Sequence, residues 1–167
     1  GDWSSDVCSS DLRVVNCWGR NTYGQLGDGS YSSKNTPVEA TIDSVVQISA
    51  GGHFACALLS DGKVKCWGLK QYGNLGDGTT SGRVTPVEVS GITDAVYIDT
   101  STSSNGACAV LSDSSAKCWG RNQYGNLGDG TTTDRHTPVD FPAGGSIVSI
   151  SKGQGTTCAV LSDGKLM

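Results

Sequence analysis

The sequence predicts an all-β protein, a partial β-propeller of about three four-stranded blades. Three observations carry this prediction. One motif recurs three times at a spacing of about 50 residues, which is typical of propeller blades. Each repeat contains four short segments that predict β-strands, the first of them with a clear alternation of apolar and small polar residues. Glycine supplies 24 of the 167 residues, about twice its usual share of roughly 7%, as tight turns between short strands require.

The recurring motif has a fixed internal spacing. It reads "NCWGRNTYGQLGDGS" from Asn16, "KCWGLKQYGNLGDGT" from Lys65 and "KCWGRNQYGNLGDGT" from Lys117, and each motif tryptophan stands 19 residues before the proline of a "TPV" tripeptide. We expect its tryptophans to pack between blades and its Asp-Gly pairs to form turns. A ladder of exposed tryptophans for carbohydrate or protein recognition is the alternative. The residues assigned to this structural motif are Trp18, Gly19, Asp28, Gly29, Trp67, Gly68, Asp77, Gly78, Trp119, Gly120, Asp129 and Gly130.

The four strands of a blade follow in order in the second repeat. "VVQISA" alternates apolar and small polar residues and predicts the first strand. "FACALL" and "KVKCWG" flank "SDG", which predicts a hairpin whose three-residue loop ends in a glycine, Gly62, with positive φ. "PVEV" predicts a fourth strand at the edge, where proline removes no ladder donor. The next hairpin has Ser114 in place of Gly62, so we expect it to be strained or to use another turn.

These residues also resemble a known family. "GGHFACALLSDGKVKCWG", "YGNLGDGTT" and "TPVEV" are similar to the regulator of chromosome condensation repeat, and the resemblance covers residues 13–167. It implies a β-propeller, usually of seven blades, so that this chain would be an open part of the ring, truncated at both ends. The "GGHF" of one repeat becomes "SSNG" and "GQGT" in the others.

The opening segment differs from everything that follows it. "DWSSDVCSSDL" fits one reading frame of a widely used sequencing adapter, so we expect residues 1–12 to be a translated adapter and not native protein. The full sequence has 16 acidic and 12 basic residues and a formal net charge of −4. Three acidic residues and no basic one lie in residues 1–12, so residues 13–167 carry 13 acidic and 12 basic residues, a charge of −1.

Cysteine spacing predicts two disulfides. Across the three-residue hairpin loop, Cys56 falls opposite Cys66 at a close, non-hydrogen-bonded position, and Cys108 and Cys118 repeat the arrangement. Buried free thiols are the alternative. We expect no metal, because zinc sites show closer cysteine spacing, and no cofactor. Disulfides would indicate a secreted or cell-surface protein, whereas free thiols would indicate cytoplasm or nucleus.

The sequence offers little catalytic chemistry, so we expect no enzyme activity. His53 stands three residues before Cys56 but does not recur in the other repeats, and the two alternate to opposite strand faces. The "LGDG" segments lack the other acidic ligands of a calcium loop, and no phosphate-binding "GK[ST]" follows them. No basic run supports nucleic-acid binding, and no apolar run is long enough to cross a membrane.

A non-catalytic module for protein recognition remains as the predicted function, at the cell surface or outside the cell. Its expected partners are a protein of unknown identity and the remaining blades of the same propeller. The resemblance implies two alternatives, a guanine-nucleotide exchange factor for a small GTPase and a secreted enzyme inhibitor, as in β-lactamase-inhibiting relatives. Residues that vary between repeats at loops or strand ends are the partner-binding candidates: Tyr31, Lys34, Lys70, Arg83, Tyr97, Arg121, Arg135 and His136.

Overall fold

The computed structural model describes residues 6–11, 14–101 and 105–167. Within these residues every regular element is a β-strand. The strands are β1 (Asp6–Asp11), β2 (Val14–Gly19), β3 (Lys34–Glu39), β4 (Val45–Ala50), β5 (Phe54–Leu59), β6 (Val64–Gly68), β7 (Arg83–Glu88), β8 (Ala95–Thr100), β9 (Gly106–Leu111), β10 (Ala116–Gly120), β11 (Arg135–Asp140), β12 (Ile147–Lys152) and β13 (Thr157–Leu161).

Consecutive strands pair antiparallel and form four sheets. Two are complete four-stranded blades, β4-β5-β6-β7 and β8-β9-β10-β11. A three-stranded sheet, β1-β2-β3, precedes them, and a two-stranded sheet, β12-β13, follows them. The prediction of an all-β partial propeller is therefore confirmed. The predicted edge position of the proline strand is also confirmed, because β3, β7 and β11 each lie at the edge of their sheet.

Each sheet packs face to face against the next through a continuous apolar layer. Alternation along β5 sends Phe54, Cys56 and Leu58 into the cluster shared with the following blade. Ala55, Ala57 and Leu59 enter the cluster shared with the preceding sheet. All six residues of β5 are buried, and so are all six of β9. The second strand of a blade is thus buried on both faces and packs against the sheets on either side.

The hairpin turns of the blades share one conformation. In the first blade Gly62 N donates to Leu59 O at 3.0 Å, and in the second Ser114 N donates to Leu111 O at 3.0 Å. Gly62 has a φ of 81° and Ser114 a φ of 67°. The left-handed region is costly for a residue with a Cβ atom. The structure therefore keeps the turn type and places the expected strain on Ser114.

A glycine follows each buried tryptophan because two strands approach closely there. Gly68 has a φ of 109°, and a Cβ on it would lie 2.6 Å from the His53 carbonyl oxygen. In the next blade, a Cβ on Gly120 would lie 2.4 Å from the Asn105 carbonyl oxygen. The register of the third and fourth strands shifts at this point. The bulge turns the chain out of the blade into its long loop.

The opening segment contributes the outer strand of the first sheet. The backbone of β1 pairs with β2, with Cys8 in register with Cys17. Residues 1–5, 12 and 13 lie outside the described residues. The sequencing-adapter origin of residues 1–12 stays a prediction.

Candidate protein-interaction face

The connections between strands divide into two opposite ends of the array. Successive connections of an antiparallel sheet alternate between its ends. One end, called here the loop face, is formed by residues 20–33, 51–53, 69–82, 121–134 and 153–156. The other end, called here the hairpin face, is formed by residues 40–44, 60–63, 89–94, 112–115, 141–146 and 162–164. The long loops that carry the recurring motif are therefore all on the loop face.

An internal hydrogen-bond frame holds each long loop. In the first loop the buried Asn21 donates from Nδ2 to Asp28 Oδ1 at 3.1 Å and accepts from Leu26 N at 3.0 Å. Asp28 Oδ1 also accepts from Ser30 N at 2.9 Å. Burial acts to raise the pKa of Asp28, but the hydrogen bonds from Ser30 and Asn21 outweigh it and lower the pKa. The Asp-Gly pair thus anchors the loop, consistent with a structural role.

The third loop repeats this frame and adds an ion pair. Asn122 donates to Asp129 Oδ1 at 3.0 Å and accepts from Leu127 N at 2.9 Å. Arg135 donates to Asp129 Oδ2 at 2.6 Å. Burial acts to raise the pKa of Asp129, but hydrogen bonds from Thr131 and Arg135 outweigh it and lower the pKa to about 2. The charged end of Arg135 therefore anchors this loop, and its assignment to partner binding stays a prediction.

Lys70 takes the place of the framing asparagine in the second loop. Its side chain is fully buried, pairs with Asp77 and donates to Thr79 Oγ1 at 2.6 Å. Burial, with a smaller contribution from Arg83, lowers the pKa of Lys70 to about 8. The assignment of Lys70 to partner binding is wrong, because a side chain enclosed by its own loop presents nothing to a partner. Arg83 Nε lies 3.8 Å from Asp77 Oδ2, so Arg83 also contributes to this anchor.

Two motif tryptophans join consecutive sheets. Trp67 is fully buried and donates from Nε1 to Gln25 O of the preceding sheet at 2.9 Å. Trp119 is fully buried and donates to Asn74 O at 3.0 Å. Trp18 is half-buried, and the described residues contain no repeat before its own. The packing position expected for the motif tryptophan is thus occupied at the first two junctions between sheets.

A buried lysine occupies the corresponding position at the last junction. Lys152 Nζ donates to Asn126 O at 3.1 Å and lies 3.2 Å from Thr157 Oγ1. Its stem lies 2.5 Å from where a Cβ on Gly106 would stand, so the glycine leaves room for it. Burial lowers the pKa of Lys152 to about 8, and the nearby Asp99 carboxylate opposes that shift.

A row of tyrosines, one from each repeat, crosses the loop face. Tyr23 packs edge-on against His53 of the next blade, with ring centroids 5.0 Å apart. Tyr72 lies under the Arg121 guanidinium of the next blade, 4.7 Å from its ring centroid. Tyr124 is 70% exposed. Sequence reasoning missed this row, because it searched for residues that differ between repeats and the "YG" pair recurs in all three.

The remaining partner-binding candidates divide by location. Tyr31 on the loop face is 64% exposed, and Arg121 belongs to the tyrosine row. Tyr97 lies on β8, where it packs against the apolar cluster between the last two sheets. Burial and the Asp99 carboxylate raise its pKa. Tyr97 therefore packs at the edge of the core while remaining partly exposed, and its assignment to partner binding stays a prediction. Lys34 at the start of β3 is half-buried, and His136 on β11 is exposed.

The cysteines of each complete hairpin lie in direct register. Cys56 faces Cys66 and Cys108 faces Cys118. Their sulfur atoms are 2.08 Å and 2.11 Å apart, which is bonding distance. All four residues are fully buried. Cys56 is thus committed to Cys66, and His53 contacts Tyr23 on the loop face.

No group of three or more metal-binding side chains comes together in residues 14–101 and 105–167. The same part of the chain contains no helix of the length and apolar character needed to cross a bilayer.

Family comparison assigns the repeats. The model described as "Regulator of chromosome condensation (RCC1) repeat" matches residues 15–58, 61–110 and 118–160. The chain is 34% identical over 137 residues to the E3 ubiquitin-protein ligase HERC2 of Homo sapiens, covering 79% of this chain and 3% of that protein. It is 31% identical over 139 residues to the ultraviolet-B receptor UVR8 of Arabidopsis thaliana, covering 81% of this chain and 32% of that receptor. The chain thus spans a third or less of these relatives.

Solved structures agree on the fold. Human WBSCR16 superposes with a TM-score of 0.80 at 24% identity, over 93% of this chain and 42% of its own. Yeast RCC1 (Prp20), solved with Kap60, superposes with a TM-score of 0.78 at 19% identity, over 92% of this chain and 39% of its own. A second structure of Prp20p from Saccharomyces cerevisiae gives a TM-score of 0.72 at 20% identity, over 90% of this chain and 42% of its own.

Proposed function

We propose that this chain, which belongs to the regulator of chromosome condensation repeat family, is a non-catalytic propeller segment that recognises a protein partner through its loop face. The observation that carries the proposal is the tyrosine row. Tyr23 and Tyr124 are 36% and 70% exposed on loops that internal hydrogen bonds hold in place. Tyrosine and arginine dominate the energetics of protein interfaces, and a rigid loop loses little entropy when it binds.

The relatives support binding as the general role. One solved relative, yeast RCC1 (Prp20), is bound to Kap60, and another structure of Prp20p is described with its binding to Gsp1p and histones. These partners belong to those proteins. For this chain we propose a protein partner on the same type of scaffold, without transferring its identity.

A photo-crosslinking experiment tests the proposal. The full chain would carry a photoreactive phenylalanine analogue at Tyr124 on the loop face or, as the matched control, at Asp163 on the hairpin face, both exposed positions. Exposed to secreted and surface proteins of the source cells, the Tyr124 probe should give a discrete adduct that excess unlabelled chain suppresses. An adduct only from Asp163, or none from either position, would contradict the proposal.

We further propose that the protein works outside the cell or at its surface. The proposal is supported by two buried cysteine pairs with their sulfurs at bonding distance, because such bonds persist in oxidising compartments. Mass spectrometry of protein alkylated during denaturing, non-reducing lysis of its native cells tests it, because denaturation exposes any buried free thiol to the reagent. Cys56, Cys66, Cys108 and Cys118 should escape alkylation. Alkylation at these four positions would contradict the extracellular location.

A guanine-nucleotide exchange factor is the second candidate, favoured by the structural likeness to Prp20p. It predicts reduced cysteines and faster release of a fluorescent nucleotide from a small GTPase. Gsp1p is a suitable probe, because Prp20p is described with its binding to Gsp1p. An unchanged release rate in the presence of this chain, together with unreactive cysteines, would favour the extracellular binding module.

A further inference from the structure

Two arginines on the loop face have no carboxylate partner among the residues that the structure describes. Arg20 donates from Nε to Thr22 Oγ1 at 3.0 Å, and Arg121 donates to Gln123 Oε1. Both acceptors are neutral. Among the ion pairs of the described residues, none includes Arg20 or Arg121. Each guanidinium therefore keeps donors and its full charge available to a partner.

The tyrosine row orients both guanidiniums. The Arg20 guanidinium lies 5.5 Å from the ring centroid of Tyr23, and that of Arg121 lies 4.7 Å from the ring centroid of Tyr72. Stacking on an aromatic face holds the planar group while its N–H edge stays free for hydrogen bonds. Arg20 lies in the loop of the first sheet and Arg121 in that of the third, where it reaches back to Tyr72 of the second. The face therefore presents two oriented cationic positions two sheets apart, with Leu69 at the equivalent position between them.

The acidic residues of the loop face are already engaged. Asp28, Asp77 and Asp129 anchor their own loops, and Asp134 accepts from Asn122 N at 2.8 Å. Loop anchoring therefore leaves these carboxylates little capacity to neutralise Arg20 or Arg121.

Exposed aspartates lie instead at the opposite end of the array. Asp43, Asp61, Asp94, Asp113 and Asp163 are all exposed on the hairpin face. In a chain of net negative charge, the two arginines outside the ion pairs of the described residues thus lie on one face and these five exposed aspartates on the other. Such separation orients an oppositely charged partner towards the positive face.

We propose that the loop face docks an acidic segment of a partner protein, whose carboxylates pair with Arg20 and Arg121 while its side chains lie along the tyrosine row. The inference rests on the proposed function and specifies the chemistry of the partner. Guanidinium and carboxylate form paired, charge-assisted hydrogen bonds, and the exposed Tyr124 ring adds apolar contact area beside them.

A peptide titration tests this inference with the full chain. The probe is a fluorescein-labelled twelve-residue peptide of alternating glutamate and glycine, followed by fluorescence anisotropy at low and at physiological salt. The control peptide has lysine in place of glutamate. Arg20→Gln and Arg121→Gln should each weaken binding of the acidic peptide about threefold, and the double variant about tenfold, as expected for exposed ion pairs. Raised salt should weaken it further.

Matched variants on the other face separate specific pairing from bulk charge. Lys63 and Lys117 lie at the opposite end of the blades and pair with Glu88 and Asp140. Lys63→Gln and Lys117→Gln remove the same charge and should leave the affinity unchanged. Circular dichroism and thermal melting of each variant should match the parent.

Three results would overturn the inference: no anisotropy change with the acidic peptide at low salt, equal weakening by the lysine variants, or stronger binding of a heparin hexasaccharide than of the peptide. The last result would assign the face to sulfated glycans. A negative peptide result with a positive Tyr124 crosslink would remove only the acidic partner class. Failure of both would remove the docking role of the loop face itself.

Discussion

Replacement of Ser114 by glycine should stabilise the protein. Ser114 has a φ of 67° in a turn that uses glycine at the equivalent Gly62. A left-handed conformation costs a residue with a Cβ atom about 1–2 kcal/mol. Glycine removes this strain, but its greater freedom in the unfolded chain costs about 0.5–1 kcal/mol. The net expectation for Ser114→Gly is a gain of about 0.5–1 kcal/mol, or about 1–4 °C in Tm for a chain of this size.

The reciprocal change provides the control. Gly62→Ser introduces the same strain and places a Cβ 2.7 Å from the Thr93 carbonyl oxygen, so backbone must move. Overpacking of this kind costs about 1–3 kcal/mol. Together with the strain, and after the entropic gain of replacing glycine, Gly62→Ser should destabilise by about 3 kcal/mol.

Urea unfolding followed by tryptophan fluorescence would measure both changes. The slope of the free energy against urea should be the same for the two variants and the parent, so that the midpoint alone reports stability. A Ser114→Gly variant that is less stable than the parent would refute the reasoning. Equal effects of the two substitutions would refute it as well.

Three further changes test the junctions and the cysteine pairs. Replacing both Cys108 and Cys118 by alanine should lower the free energy of unfolding by about 2–3 kcal/mol in non-reducing buffer. Reductant breaks the same bond in the parent, so the difference between parent and variant should then be much smaller. Trp119→Phe should lower the free energy of unfolding in urea by about 2–4 kcal/mol, because it leaves a buried carbonyl without its donor and opens a cavity. Trp18→Phe, at the half-buried position, should lower it by less than about 1 kcal/mol. Burial lowers the pKa of Lys152 from 10.5 to about 8. Between pH 8 and pH 10.5 the unfolded chain therefore binds a proton at this lysine that the folded chain does not. The stability of the parent relative to Lys152→Met should rise by about 2–3 kcal/mol over this range and should not change with pH below pH 8.

The blade itself was predictable because its signals are local. Alternating apolar residues predict the strands, and the three-residue loop predicts the register of the hairpin. That register puts Cys56 opposite Cys66, as the structure shows. The strain at Ser114 was also predictable from the sequence, because the equivalent position in the preceding repeat is Gly62, which indicates a turn with positive φ.

The candidate site depends on side-chain packing inside the long loops and between repeats, which no local sequence pattern encodes. Because Lys70 differs from its equivalents in the other repeats, the sequence predicts a partner-binding residue. In the structure it is buried at the position that Asn21 and Asn122 occupy in the other two loops. The Arg121 guanidinium reaches Tyr72 of the preceding blade, far along the sequence. Variation between repeats identifies changed positions, but only packing determines which of them face solvent.

Native-state amide hydrogen exchange would test the central claim, that the loop face is a preformed recognition surface. The amides of Leu26 and Leu127 donate to the side chains of Asn21 and Asn122 within the long loops. If the loops are held as described, both amides should exchange about as slowly as those of the buried strands, and Asn21→Ala should release Leu26 alone. Exchange of Leu26 and Leu127 at the rate of an unstructured chain would contradict the claim.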